Sequence, residues 1–268
     1  MVEPLNRVSI ESLQSPLASV VEVHEALGST QERARELAHA RTPHGTLVVA
    51  RVQTGGRGRL GRPWESPRGG LWMSLVLRPG FAASLASRVT QTAAVGVAKA
   101  LWELGVESSI KWPNDLLARG KKICGILAES SAEHGAGSVE ERRLDYVILG
   151  VGMNANLDPA ELGVPDREIT TIRSELGHDV DLLDLLRTLL ANLEVKMGRI
   201  QHFGAVLEEW RKLNCTLGEK VRVRRFGETI EGRAVDLTSE GALLLATLRG
   251  TVRVFEGEIE HLAQGENA

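Results

Sequence analysis

Cysteine is scarce in this chain. Only Cys124 and Cys215 occur in 268 residues, far apart and in no C-x-x-C pair. That excludes a disulfide-stapled fold and a dithiol redox centre, and it suits a reducing cytoplasmic setting. Aromatic residues make up 4% and the net charge is −3. A nucleic-acid binder would need stacking platforms and a basic stripe, and both are lacking. No apolar run reaches the ~18–20 residues of a membrane span. The first residues, MVEPLNRVSIESLQSP, show no basic segment followed by an apolar one, so no secretory leader is expected.

The chain is 43% hydrophobic and 25% charged, a composition able to build a sizeable core. TQERARELAHA (30–40) reads as a short helix with Ser29 or Thr30 as its cap. TLVVARVQT (46–54) and LWMSLVLRP (71–79) read as strands. Residues 84–104 form the strongest helical pattern, with Ser84 a candidate cap and Gly105 a stop. SSIKW, KKICGILAES and LDYVILGVGMNAN read as three more strands, and the segments 177–200 and 202–213 as helices. Beyond Leu213 polar and apolar residues alternate, with turns expected at Gly227-Glu228 and Glu240-Gly241. The pattern predicts two domains, residues 1–214 and a small β-barrel at 215–268.

QTGGRGRLGRPW (53–64) holds a literal G-x-G-x-x-G at Gly56, Gly58 and Gly61. A dinucleotide fingerprint must open a helix, yet prolines and a second strand follow. The lysine strand, H-R-D and D-F-G of a protein kinase are absent, as is a Walker A sequence. What remains is a loop between two strands bearing Arg57, Arg59 and Arg62. Glycine backbone and guanidinium groups together suit an anionic ligand, and a solvated basic loop is the plain alternative. A second cluster, KWPNDL (111–116), precedes Lys122, which opens KICGILAES. A third, LGVGMNAN, places Gly150, Gly152 and Asn154 at the end of a buried strand. Glycines there would admit a flat ligand, and an asparagine amide suits the edge of a base.

GSTQ (28–31), QTGGRGRLGRPW, KWPNDL, KICGILAE and LGVGMN together resemble the biotin–protein ligases, in the order and at the spacing of that family. The resemblance covers about residues 25–215, and the β-rich tail is similar to that family's C-terminal domain. It implies an α+β fold: a mixed sheet carrying the active site, helices packed on one face, and a C-terminal SH3-like barrel. It implies a ligase that joins biotin and MgATP as biotinyl-5′-AMP and transfers biotin to a lysine of a biotin carboxyl carrier protein. Biotin and ATP are then substrates, and Mg²⁺ bridges phosphates with no metal site in the protein.

The same resemblance assigns the residues. Arg59, Lys122, Asp115 and Lys111 are the catalytic candidates, with Asp115 taking the proton of the incoming amine. Ser29, Thr30, Gln31, Gln53, Gly56, Arg57, Gly58, Arg59, Lys122 and Gly125 are expected on biotin. Arg57, Arg59, Trp64, Asn114, Lys122, Gly152 and Asn154 are expected on ATP or the adenylate. Residues 157–175 are expected to form a second mobile loop. Only 20–25 residues precede the first matching strand, so no N-terminal DNA-binding domain and no DNA role are expected. The protein is expected to be cytoplasmic, off the membrane, and a monomer or homodimer. A lipoate or octanoate transferase of the same fold is one alternative, and a non-catalytic biotin or nucleotide sensor is another.

Overall fold

The computed structural model describes residues 5–132, 142–163, 169–225 and 227–262. Seven strands form the main sheet: β1 (Val20–His24), β2 (Thr46–Ala50), β3 (Leu71–Leu77), β4 (Ser109–Lys111), β5 (Asp115–Ala118), β6 (Lys121–Ala132) and β7 (Leu144–Met153). They are ordered β1-β2-β3-β7-β6-β5-β4. Only β1 and β2 run parallel; every other neighbouring pair is antiparallel, so the sheet is mixed as expected. The short β5 escaped the sequence reading. Four residues beside a proline turn carry too little pattern to stand out.

Side chains alternate across a strand, and that alternation sorts this sheet into a core face and a site face. Leu71, Met73, Leu75 and Leu77 of β3, with Val147, Leu149, Val151 and Met153 of β7, enter the main core. There they meet the helices α3 (Ser87–Glu103), α5 (Leu182–Met197) and α6 (Phe203–Leu213), α1 being Arg7–Glu11 and α4 Ile172–Leu176. The buried leucines of α5, from Leu183 to Leu193, recur at three- and four-residue spacing. Burial of each contributes about 1.5–3 kcal/mol relative to exposure. Gly96 lets α3 and α5 approach closely: a Cβ there would lie 3.2 Å from Leu193 Cδ2.

One helix takes the other side. Ala34 and Ala38 of α2 (Thr30–His39) pack with Val48, Val76, Tyr146 and Ile148 on the opposite face of the sheet. The helical layer expected on one face is therefore α3, α5 and α6, while α2 shares the site face.

Helix ends differ from expectation at one point. Residues Ala83–Leu85 form a separate 3₁₀ turn and α3 begins after it, with Ala86 at the N-cap and no side-chain cap. Ser84 caps nothing; instead the Ser87 hydroxyl donates to the Glu240 carbonyl in the C-terminal domain. Gly105 does end α3, at φ +87°, and the Val106 N–H returns to the Leu101 carbonyl at 2.9 Å.

The C-terminal domain is a five-stranded antiparallel sheet ordered β11-β10-β9-β8-β12. Its strands are β8 (Lys220–Arg225), β9 (Glu228–Leu237), β10 (Leu243–Thr247), β11 (Gly250–Val254) and β12 (Glu258–His261). Gly227 and Gly241 occupy the expected turns at φ +81° and +88°. No long linker intervenes: the Cys215 N–H bonds the Ile110 carbonyl of β4 at 3.0 Å.

Candidate active site

A cavity of about 450 Å³ opens on the site face, beneath the arginine-bearing loop. The loop is more ordered than an open glycine connection. It doubles back on itself, with Gln53 N–H to Ser66 O at 3.0 Å, Trp64 N–H to Gly56 O at 2.9 Å and Gly58 N–H to Arg62 O at 2.8 Å. Its tip is closed by Leu60 and Gly61, both at positive φ, +57° and +72°. Glycine adopts that region freely and leucine at a cost, so the tip is held in place by the bonds on either side.

The polar end of the cavity is built where α2 starts. Ser29 caps the helix through Glu32 N–H, a long contact of 3.5 Å. Thr30 faces the cavity, its N–H bonded to Gln53 Oε1 at 2.8 Å and its Oγ1 at 3.0 Å from the same atom. The choice of cap left open by the sequence falls on Ser29, and Thr30 remains for a ligand. Gln31 is the exception. Its amide is buried and bonded to Glu129 Oε2 at 2.9 Å, to the Ile148 carbonyl at 3.2 Å and to Ser74 Oγ at 3.0 Å. It supports the wall rather than offering a free amide.

The charged end is built by the β4–β5 turn and β6. Lys122 Nζ lies 2.6 Å from Asp115 Oδ1, with the two side chains 18% and 25% exposed. The same ammonium sits 4.9 Å from the centre of the Trp64 ring, a cation–π contact. Arg59 reaches Asn114 Oδ1 at 3.3 Å and the Gly257 carbonyl at 3.1 Å. Burial pulls its guanidinium pKa down, against the upward pull of Glu256 and Asp115; a guanidinium remains charged there nonetheless. Arg57 pairs with Glu32 at 3.0 Å and Arg62 with Glu258. Lys111 lines the cavity next to the Trp112-Pro113 bond, which is cis.

The glycines of the sheet face have a purpose the sequence did not reveal. A Cβ on Gly150 would lie 2.5 Å from Gln31 Oε1, and one on Gly152 would lie 2.5 Å from Trp64 Nε1. One on Gly125 would meet the Trp64 ring at 3.1 Å. These positions make room for protein side chains, Gln31 at Gly150 and Trp64 at Gly152 and Gly125. Gly152→Ala is therefore expected to displace the indole and raise the KM for ATP, the nucleotide that the resemblance implies, about tenfold or more, since small misplacements at a site are costly. Steady-state kinetics alongside a thermal melt will separate this from unfolding; an unchanged KM would refute it.

Most expected site residues meet at this one cavity, and two do not. Gly56 lies off the wall, its Cβ direction blocked by Trp64 O at 2.4 Å and Ser66 Oγ at 2.8 Å. Asn154 is buried at 2% exposure. Its Nδ2 donates to the Thr170 carbonyl at 3.1 Å, which ties the end of β7 to the following loop, while its buried Oδ1 has no hydrogen-bond partner among the described residues. Of that loop, Pro159–Leu162 is a capped 3₁₀ turn and Ile169 bridges to Lys122. Residues 164–168 of the expected second mobile loop lie outside the described residues. The sequence reading also missed Ser74 and the C-terminal residues Gly257, Glu258 and Ile259, all of which line the cavity. Ser74 had a signal, as the single polar residue in the apolar strand LWMSLVL. The C-terminal segment had none, because only folding brings it across.

A mixed sheet with a polar pocket at one end, fixed cations at the other and an arginine loop above defines a site for an acid-bearing small molecule. The chain belongs to the biotin/lipoate A/B protein ligase family, whose pattern matches residues 23–154, and the biotin protein ligase C-terminal domain matches residues 216–262. It is 37% identical over 242 residues to the bifunctional ligase/repressor BirA of Bacillus subtilis (strain 168), covering 88% of this chain and 72% of that one. It is 33% identical to the biotin–[acetyl-CoA-carboxylase] ligase of Paracoccus denitrificans, covering 74% of this chain and 82% of the relative. Its fold matches the biotin protein ligase from Aquifex aeolicus in complex with biotin and ATP, with TM-score 0.73 and 29% identity over 90% of this chain and 98% of that one. The protein is thus a ligase of the biotin–protein type. No helix among the described residues is long and apolar enough to cross a membrane.

Proposed function

We propose that this enzyme activates biotin as biotinyl-5′-AMP and passes the biotinyl group to one lysine of a biotin carboxyl carrier domain. The observation that supports this best is the division of one cavity. Thr30 and Gln53 offer hydrogen bonds at one end, while Lys122, Arg59 and Asp115 stand at the other. Biotin has matching parts, a ureido ring and a carboxylate.

In the first step the carboxylate oxygen attacks the α-phosphorus of ATP, the bond to the β-phosphate breaks, and pyrophosphate leaves. Two anions must approach, and fixed cations in a partly dry site offset their repulsion. Lys122 and Arg59 are the cations assigned to this, with Arg57 closing the loop over the product. Mg²⁺ enters as part of the MgATP substrate, since Mg²⁺ is usually held by phosphates with few protein ligands. In the second step the lysine nitrogen attacks the acyl carbon, the bond to the phosphate oxygen breaks, AMP leaves, and Asp115 accepts the amine proton. Trp64 and Gly152 are assigned to the adenylate, with Asn154 supporting from behind. The domain boundary near residue 214 and a carrier-facing role for the C-terminal domain belong to the same reading.

Pyrophosphate release with MgATP, measured separately with biotin, lipoate and octanoate, tests the proposal. Release with biotin alone, together with a biotinyl-adenylate in the quenched mixture, is the expected result. Release with lipoate or octanoate instead would assign the other branch of the family. Tight biotin binding without release from any acid would favour a sensor.

A further inference from the structure

A second cavity, of about 180 Å³, lies where α3 and β6 meet the C-terminal domain. It adjoins the first: Arg59, Pro113, Asn114, Ile126 and Leu127 line both. Arg59 Nη1 donates to Asn114 Oδ1 at 3.3 Å, which joins two residues of that shared wall. The next residue along the chain is Asp115, the carboxylate beside Lys122. Joining biotin to ATP makes no use of this second space.

Its lining is graded. Phe255, Glu256 and Ser130 are exposed and form the outer rim. Ile126 and Val147 are buried and apolar. One amide is buried with them, that of Gln91 on α3, 3% exposed. Its Nε2 donates to the Pro113 carbonyl at 3.4 Å, which sets the amide orientation, because a carbonyl only accepts. Its Oε1 is buried and has no hydrogen-bond partner among the described residues. An acceptor left in that state is costly, and a donor brought by a ligand removes the cost.

The lining also selects the ligand's chemistry. Arg59 is its single cation among the described residues, already engaged by Asn114 and the Gly257 carbonyl, so a phosphate would find few donors. A lysine side chain fits better. Its stem suits the apolar walls, its nitrogen brings donors for Gln91 Oε1, and its charge is attracted by Glu256 at the rim. We infer that this cavity is the passage by which the acceptor lysine reaches the adenylate, with Gln91 Oε1 receiving its nitrogen before the Arg59–Asn114 wall. Resting on the proposed ligase function, this gives its second step a route. The nitrogen passes Asn114 and attacks the acyl carbon, the bond to the phosphate oxygen breaks, AMP leaves, and Asp115 takes the proton.

Single-turnover transfer from enzyme-bound biotinyl-adenylate to a purified biotin carboxyl carrier domain, at varied carrier concentration, provides the test. Gln91→Leu removes the acceptor. Thr90→Leu enlarges another lining residue and leaves Gln91 in place. Each is expected to lower the limiting transfer rate about tenfold or more. The half-saturating carrier concentration and biotin-dependent pyrophosphate exchange should stay as in the unmodified protein, whereas a merely structural role for Gln91 would lower exchange as well. Should one variant fail to fold, as a thermal melt will show, the other decides. An unchanged limiting rate, a change confined to the half-saturating concentration, or an equal loss of exchange overturns the passage and leaves the ligase reading standing. Unmodified protein that forms no biotinyl-adenylate overturns both.

Discussion

Lys122→Ala is expected to lower biotin-dependent pyrophosphate release by about 10²–10³-fold, the usual loss when one preorganised donor to developing charge is removed. Burial and two contacts of the structure support so large an effect. The ammonium is mostly buried, lies 2.6 Å from Asp115 and stands over the Trp64 ring at 4.9 Å. Its backbone is anchored too, with the Thr170 N–H on the Lys122 carbonyl at 3.0 Å. The charge is thus aimed before substrate arrives, so little reorganisation accompanies the reaction. Alanine also leaves Asp115 without its counter-charge inside the cavity, which adds to the repulsion an incoming carboxylate meets. Lys122→Arg restores charge but not shape, since a planar fork cannot take the place of a point charge beside Trp64. A partial return of activity is expected. The assay is biotin-dependent pyrophosphate exchange at saturating MgATP. A loss below fivefold would remove Lys122 from the first step.

Asp115→Asn is expected to behave in the opposite way. Adenylate should still form at a rate within a few-fold of normal, while transfer to the carrier lysine falls about 10²–10⁴-fold, the range attributed to a positioned proton acceptor. An unperturbed lysine amine is protonated near neutral pH and cannot attack until the proton leaves. Asp115 sits at the start of β5, paired with Gly125 of β6, and its carboxylate faces the cavity beside Lys122. Asparagine keeps the size and one acceptor oxygen but loses the negative charge, and with it both the proton acceptor and the counter-charge of Lys122. Single-turnover transfer from preformed biotinyl-adenylate isolates this step. If transfer by the variant is as fast as by the parent enzyme, the base lies elsewhere. The two variants separate the half-reactions: one stops before pyrophosphate, the other after it.

The ligase motifs were legible because each is local. QTGGRGRLGRPW, KWPNDL and KICGILAE keep their chemistry within a dozen residues, and the strands that hold them are apolar enough to be read from pattern alone. The same locality limits what the motifs could show. Gln31 and Asn154 carry amides that suit a ligand on paper. In the fold Gln31 bonds Glu129 and Ile148, about a hundred residues away, and the Asn154 Nδ2 bonds Thr170 while its Oδ1 stays unpartnered among the described residues. Gly150 and Gly152, read as clearance for a ligand, also leave room for the side chains of Gln31 and Trp64.

From the sequence came the mixed α/β texture, the β-rich C-terminal domain, the arginine loop and the order of the motifs, since periodicity and short motifs depend on neighbours along the chain. The tertiary structure alone decided which groups share a cavity, which amide groups are already occupied, and that Gly257 and Glu258 reach Arg59 and Arg62 across nearly 200 residues of chain. The physical reason is that a hydrogen bond is settled by distance and direction in space, and one proton can satisfy only one partner.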